Sequence, residues 1–143
     1  MISQVTQVRV RYADTDQMRL AYYGKFFEYF EQGRADLLRG IGLPYGEIEE
    51  MGFHLPVIEA HAEYKRPAFY DDLLTVVTSL RHAPLARVRL EYEVFKQDEQ
   101  DLLASGYTVH VFVDASSGRA TRAPARFLEV IRSNMGTGPM SRG

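Results

Sequence analysis

The chain has 143 residues, of which 45% are hydrophobic and 25% charged, and its formal net charge is -2. That length suits one domain able to bury a core without staples, and so small a charge gives no general attraction to nucleic acid. There is no cysteine, which excludes disulfides, thiolate nucleophiles and cysteine zinc sites.

Val5 to Tyr12 alternates, with Val8, Val10 and Tyr12 on one face and Gln7, Arg9 and Arg11 on the other. That period predicts a first strand. Ala13 to Leu20 is polar and irregular, a loop. From about Gly24 to Ile41, Phe26, Phe30, Gly33, Leu37 and Ile41 recur at helical spacing, joined by Phe27, Ala35 and Leu38. The apolar sector is broad, so this helix is expected to be largely buried. Gly42 and Pro44 stop it, and Pro44 to Met51 can form a short second helix. Gly33 inside the helix costs about 1 kcal/mol against Ala, so close packing against a sheet is expected there. Glu31 and Arg34 are expected to form an i,i+3 ion pair.

Beyond this helix the pattern is one of strands: Phe53–Tyr64, Leu73–Leu80, Arg87–Phe95 and Leu102–Val113. The links are short, which implies antiparallel neighbours. Asp114 to Gly118 reads as a tight turn. Pro124 opens a last helix containing Phe127, Leu128 and Ile131. Residues 1–134 are expected to form a single domain, with 135–143 a flexible tail. The order of elements predicts an α+β layer arrangement. No basic segment leads into an apolar run, and no apolar run is long enough to span a bilayer, so a cytoplasmic protein is expected.

Tyr12-Ala-Asp-Thr-Asp16 sits in the loop between the first strand and the long helix, ahead of Tyr22-Tyr-Gly. Asp16 has more chemistry open to it than any other side chain here. The plainer possibility is a loop Asp bonded to its own backbone. Asp14 is expected to stabilise the loop rather than react. The four histidines, His54, His61, His82 and His110, show no zinc spacing, and no metal is expected. His61 with Glu59 and Glu63 is the nearest approach to a ligand cluster. His110 reads as a satisfied core or interface residue. A nucleophile elbow, a P-loop and a dinucleotide fingerprint are all missing from the sequence.

Tyr12, Asp14, Thr15, Asp16, Tyr22, Glu31 and Arg34 together resemble the signature of the small acyl-CoA thioesterases of the 4-hydroxybenzoyl-CoA thioesterase family. Tyr64-Lys-Arg-Pro67, Asp71-Asp-Leu, Ala104-Ser-Gly106 and His110-Val-Phe-Val-Asp114 before Gly118-Arg119 extend the resemblance over about Val8 to Arg126. It implies a hotdog fold, a long central helix wrapped by a curved antiparallel β-sheet. It also implies a homodimer or dimer of dimers with active sites at the dimer interface, and hydrolysis of an acyl-CoA to free acid and coenzyme A. Coenzyme A is then part of the substrate and no cofactor is needed.

On that resemblance Asp16 is the catalytic carboxylate, acting on water or attacking the carbonyl itself. Both routes stay open. Tyr23 supplies the backbone N–H that faces the thioester oxygen. Tyr22 lies beside the acyl group, and Gly24 permits close backbone approach. Lys65, Arg66, Arg87, Arg119, Arg122 and Arg126 are candidates for the phosphates of coenzyme A, the first five being the chosen set. The chain departs from its family pattern at Tyr23, where relatives often carry His, at Lys25, often Asn, and at Arg19, commonly Gly. Alternatives are an acyl-binding or scaffolding hotdog dimer with little turnover, and a thioesterase for acyl carrier protein. A hotdog dehydratase would require a His near the helix start, which this chain lacks.

Overall fold

A computed structural model describes residues 1–84, 86–97 and 100–135. Strand β1 (Ile2–Arg9) leads through a single 3-10 turn at Tyr12–Asp14 to helix α1 (Lys25–Gly40) and the short α2 (Tyr45–Glu50). Then come β2 (Phe53–His54), β3 (Val57–Tyr64), β4 (Leu73–Leu80), β5 (Arg87–Lys96), β6 (Leu102–Asp114), β7 (Ala120–Thr121) and α3 (Ala125–Met135). Of the tail expected at 135–143, Met135 is instead the last residue of α3, and 136–143 lie outside the described residues. Among the described residues no helix is long and apolar enough to cross a membrane.

All seven strands form one antiparallel sheet in the order β1-β4-β5-β6-β2, with β3 and β7 also paired to β6. Here the expectation that strands joined by short links are antiparallel neighbours needs correcting for one pair. Strand β3 does not pair with β4, its neighbour in sequence; it lies beyond β6, with Ala60 opposite Thr108 and Tyr64 opposite Ala104. Strand β4 is taken by β1, with Val5 opposite Val77. The stretch 53–64 is also two strands, not one, because Leu55-Pro56 interrupts it and proline cannot donate to a ladder.

The sheet wraps α1. Phe26, Tyr29, Phe30, Gly33, Arg34, Leu37 and Leu38 form its buried face. Phe30 stacks on Tyr92 of β5, with centroids 4.4 Å apart and planes within 6°. Gly33 lies so close to β4 that an added Cβ would collide with the Thr78 hydroxyl and come within 3.1 Å of Val76. That contact accounts for a glycine in mid-helix. Phe127 and Ile131 of α3 are fully buried, Phe127 packing edge-on to Phe112 at 4.8 Å.

Arg34 does not pair with Glu31 as expected, because the helix turns it inward. Its Nε donates to the Tyr45 hydroxyl (2.9 Å) and its Nη1 to the Tyr92 hydroxyl (3.1 Å). From there a buried chain crosses the sheet. Tyr92 Oη lies 2.6 Å from Thr108 Oγ1, Thr108 Oγ1 lies 2.9 Å from His110 Nε2, and His110 Nδ1 lies 3.2 Å from the Leu55 carbonyl. A carbonyl only accepts, so Nδ1 carries the proton and Nε2 of the neutral ring accepts from Thr108. Every donor then runs one way, from Arg34 to Leu55.

This chain needs a neutral His110. Burial, and next the nearby Arg34 charge, push its pKa from 6.5 down to about 4, against the opposing pull of the Leu55 carbonyl. The unfolded chain therefore binds a proton that the folded one refuses. Stability from His110 is full above pH 6.5 and is lost as pH falls from there toward 4. Urea unfolding across that window should show a slope contribution of up to about 1.4 kcal/mol per pH unit, and His110→Gln should flatten it. An equally steep slope in the variant would contradict this origin.

Candidate active site

The first strand ends earlier than its alternation suggests, at Arg9, because Asp14 turns the chain. Val10 still exchanges backbone bonds with Asp71 and Asp72. The Asp14 carboxylate then accepts the Arg11 N–H (3.0 Å), the Arg11 Nη2 (3.0 Å) and, from inside α1, the Tyr29 hydroxyl (3.1 Å). Lys25 Nζ stands 4.0 Å away. Asp14 is only 2% exposed. Burial pushes its pKa up, but the Arg11 N–H, the Arg11 guanidinium and the Tyr29 hydroxyl together hold it below the usual carboxylate range. Its carbonyl also accepts the Tyr22 N–H (2.9 Å). One residue thus ties the end of β1, the start of α1 and the intervening loop together.

Asp16 opens a tight turn within that loop. Its Oδ1 accepts the N–H groups of Met18 (2.8 Å) and Leu20 (3.2 Å), while Asp16 N–H donates to the Leu20 carbonyl and Arg19 N–H to the Asp16 carbonyl. The plainer possibility for Asp16, bonding to its own backbone, is therefore realised by one oxygen. Oδ2 accepts no hydrogen bond among the described residues, and Asp16 still lines a cleft.

The same cleft receives the amino end of α1. Lys25, Phe26 and Phe27 N–H groups bond the carbonyls of Tyr22, Tyr23 and Gly24, a 3-10 entry to the helix. The N–H groups of Tyr23 and Gly24 donate to nothing among the described residues. They are the orphan donors of a helix start, at the positive end of its dipole. The cavity is about 460 Å³ and is lined by Asp16, Tyr22, Tyr23, Tyr64, Lys65 and Arg66, with Met18, Phe26 and Ala68 among the apolar wall. Tyr23 packs on Tyr64 with centroids 4.8 Å apart, and Tyr64 meets the edge of Phe26 at 5.4 Å. A carboxylate with an unspent oxygen, the unspent amide donor of Tyr23 and an apolar wall line one cleft, with the Gly24 N–H next along the chain, and these suit attack on a carbonyl and stabilisation of the resulting oxyanion.

Residues 10–131 match the model of the thioesterase-like superfamily. The chain belongs to that superfamily. A putative esterase of Aquifex aeolicus is 33% identical over 124 residues, covering 87% of this chain and 94% of that protein. A putative acyl-CoA thioesterase of Bacillus subtilis is 28% identical, over 78% of this chain and 80% of the relative. The solved structure of a DHNA-CoA thioesterase from Staphylococcus aureus superposes with a TM-score of 0.87 at 26% identity, covering 95% of this chain and 93% of that one. The fold is the hotdog expected from the sequence, and this member of the thioesterase-like superfamily is a thioester hydrolase.

Of the residues singled out in the sequence, the cleft of this superfamily member gathers Asp16, Tyr22, Tyr23, Lys65 and Arg66. Gly24 is not among the residues that line it; it follows Tyr23 directly, and an added Cβ there would come 3.1 Å from the Tyr22 ring. Lys65 pairs with Glu63 (3.1 Å) and Arg66 with Asp101 (3.5 Å). Arg87, Arg119 and Arg122 are not brought to it within one chain. Arg87 is opposite Val111, whereas Lys65 and Arg66 bond the Leu103 carbonyl, eight residues along β6, or roughly 26 Å at strand rise. Arg119 and Arg122 flank β7 at the same far end. His61 pairs with Glu63 (3.2 Å) and stacks on Tyr107. The cleft residues to which sequence reasoning gave no role in the site include Met18, Leu20, Tyr64 and Ala68. Tyr64 carried a signal, an aromatic opening the Tyr64-Lys-Arg-Pro67 segment, whereas Met18 carried none.

Arg19 sits at φ +66, in the left-handed region. That explains why glycine suits this position: a Cβ there costs about 1–2 kcal/mol. Arg19→Gly should raise the stability of the enzyme, partly offset by the greater freedom of an unfolded glycine. Thermal unfolding checks the sign, and a lower melting temperature would contradict it.

Proposed function

We propose that the chain hydrolyses acyl-CoA thioesters in this cleft. The acyl group lies against Tyr22, Tyr23, Met18 and Tyr64. The thioester carbonyl oxygen accepts the Tyr23 N–H, so charge developing on it meets a donor fixed before the reaction starts. Asp16 Oδ2 faces the carbonyl carbon. It either takes a proton from an attacking water, or attacks the carbon and forms a mixed anhydride that water then opens. In both routes the C–S bond breaks, the coenzyme A thiolate leaves, and the acid carries one oxygen from water once turnover is steady. Lys65 and Arg66 stand at the mouth for the phosphates.

The observation that carries this reading is the division of labour in Asp16, a residue that lines the cleft: Oδ1 is anchored by two backbone donors and Oδ2 accepts no hydrogen bond among the described residues. The anchoring fixes the direction of the free oxygen without taking it. Thiol release from a panel of aromatic and aliphatic acyl-CoAs provides the test. Asp16→Asn keeps the size of the side chain and should lower kcat at least about a hundredfold, with acyl-CoA still bound. A variant with parental turnover would refute the role of Asp16. Binding by the parent without turnover would favour the scaffold alternative.

A homodimer belongs to the same proposal. Among the described residues strand β3 pairs with β6 alone, and every residue along it but Ala62 is exposed, with Val57 44% and Ile58 47% exposed. An edge this long and apolar invites another strand. Antiparallel pairing of two β3 edges about a twofold axis would bring the far end of one chain, with Arg87, Arg119 and Arg122, beside the cleft of the other. Sedimentation should give twice the chain mass, or a dimer of dimers. Ile58→Lys, a charge of the kind that blocks edge pairing, should shift the enzyme toward monomer and take activity with it; a fully active monomer would contradict the shared site.

A further inference from the structure

We propose that Tyr64 is a positioning residue for the thioester carbonyl, acting through the Tyr23–Gly24 peptide; the inference rests on the hydrolytic reading above and adds a second oxyanion donor to it. Tyr64 ends β3, across the cleft from the start of α1. Its hydroxyl donates to the Tyr23 carbonyl at 3.0 Å. That carbonyl and the Gly24 N–H belong to one rigid peptide plane. The hydroxyl therefore sets the direction in which the Gly24 N–H points.

Three observations converge on this assignment. The Gly24 N–H has no acceptor among the described residues, so it is available to a ligand. Gly24 is helical, at φ -62 and ψ -23, so its N–H continues the row begun by that of Tyr23. The Tyr64 ring also packs on Tyr23 and on the edge of Phe26, which holds the hydroxyl in place. A donor on the carbonyl side of a peptide also polarises its N–H and makes it the stronger donor. Tyr64 thus orders and strengthens the second of two adjacent donors aimed at one oxygen.

The bond adds little to folding. The Tyr23 carbonyl also accepts the Phe26 N–H at 3.1 Å, and Tyr64 is 38% exposed. Removing the hydroxyl leaves no buried group without a partner. A purely structural role therefore predicts no kinetic effect, which makes Tyr64→Phe decisive.

The test measures kcat, KM and melting temperature for parent, Tyr64→Phe and Asp16→Asn, on whichever acyl-CoA of the aromatic and aliphatic panel the parent turns over fastest. One neutral hydrogen bond lost from a site fixed before reaction corresponds to a roughly three- to tenfold fall in kcat. Tyr64→Phe should show that fall with KM and melting temperature at parental values. Parental kcat in Tyr64→Phe would overturn the inference, as would an effect confined to KM or matched by a drop in melting temperature. Asp16→Asn separates the two failures. If it abolishes turnover while Tyr64→Phe is unchanged, only the role of Tyr64 falls. If it leaves turnover intact, the hydrolytic site itself is misplaced.

Discussion

The site depends on a buried carboxylate that does no chemistry. Asp14 is gripped by the backbone and guanidinium of Arg11 and by Tyr29 from inside α1, and its carbonyl holds the Tyr22 N–H. These bonds join a strand end, a loop and a helix start. A buried charge is costly unless hydrogen-bonded, and here each bond fixes a different element. The Tyr29 hydroxyl is kept protonated by burial and by the neighbouring Asp14 charge, so it stays a donor. With Asp14 in place the stretch between residues 15 and 22 has little freedom. Asp16 and Tyr23 then line a single cleft.

The two aspartates of this loop show how burial separates structure from reactivity. Asp14 is enclosed and spends both oxygens on protein donors. Asp16, two residues on, is exposed and spends one. A carboxylate with one anchored oxygen and one open oxygen is aimed as well as available, and a base or nucleophile needs both properties. Among the described residues the cleft holds no histidine; its other ionisable groups are Tyr22, Tyr23, Tyr64, Lys65 and Arg66. On the proposed reading, stabilisation of the oxyanion falls to backbone donors and the helix dipole.

Much of this was legible in the residues. Helix α1 and strands β4 and β5 are legible in the residue pattern because each buries one clean face, whereas β6 buries consecutive residues and is read from its composition. Gly33 announced a close approach to the sheet, and Thr78 and Val76 provide it. The strand pairing was not legible. Tyr64 lies beside Ala104 and far from its sequence neighbour β4 because β1 occupies that edge, and a partner choice of this kind is set by tertiary packing, not local pattern. Arg34 was misread for a related reason. An i,i+3 spacing to Glu31 suggested a surface pair, but no helical period shows that Tyr45 and Tyr92 wait inside to accept a guanidinium. Lys65 and Arg66 reach the cleft because they follow directly on β3. The scatter of Arg87, Arg119 and Arg122 to the far end was invisible until the register of β6 was known.

The most direct measurement is a crystal structure of the protein with an acyl-CoA analogue in which a ketone replaces the thioester and cannot be hydrolysed. The carbonyl oxygen should lie within hydrogen-bond distance of the Tyr23 N–H, with Asp16 Oδ2 directed at the carbonyl carbon or at a water beside it. A ketone bound with its oxygen away from the start of α1, or with Asp16 turned from the carbon, would contradict the assignment of this cleft.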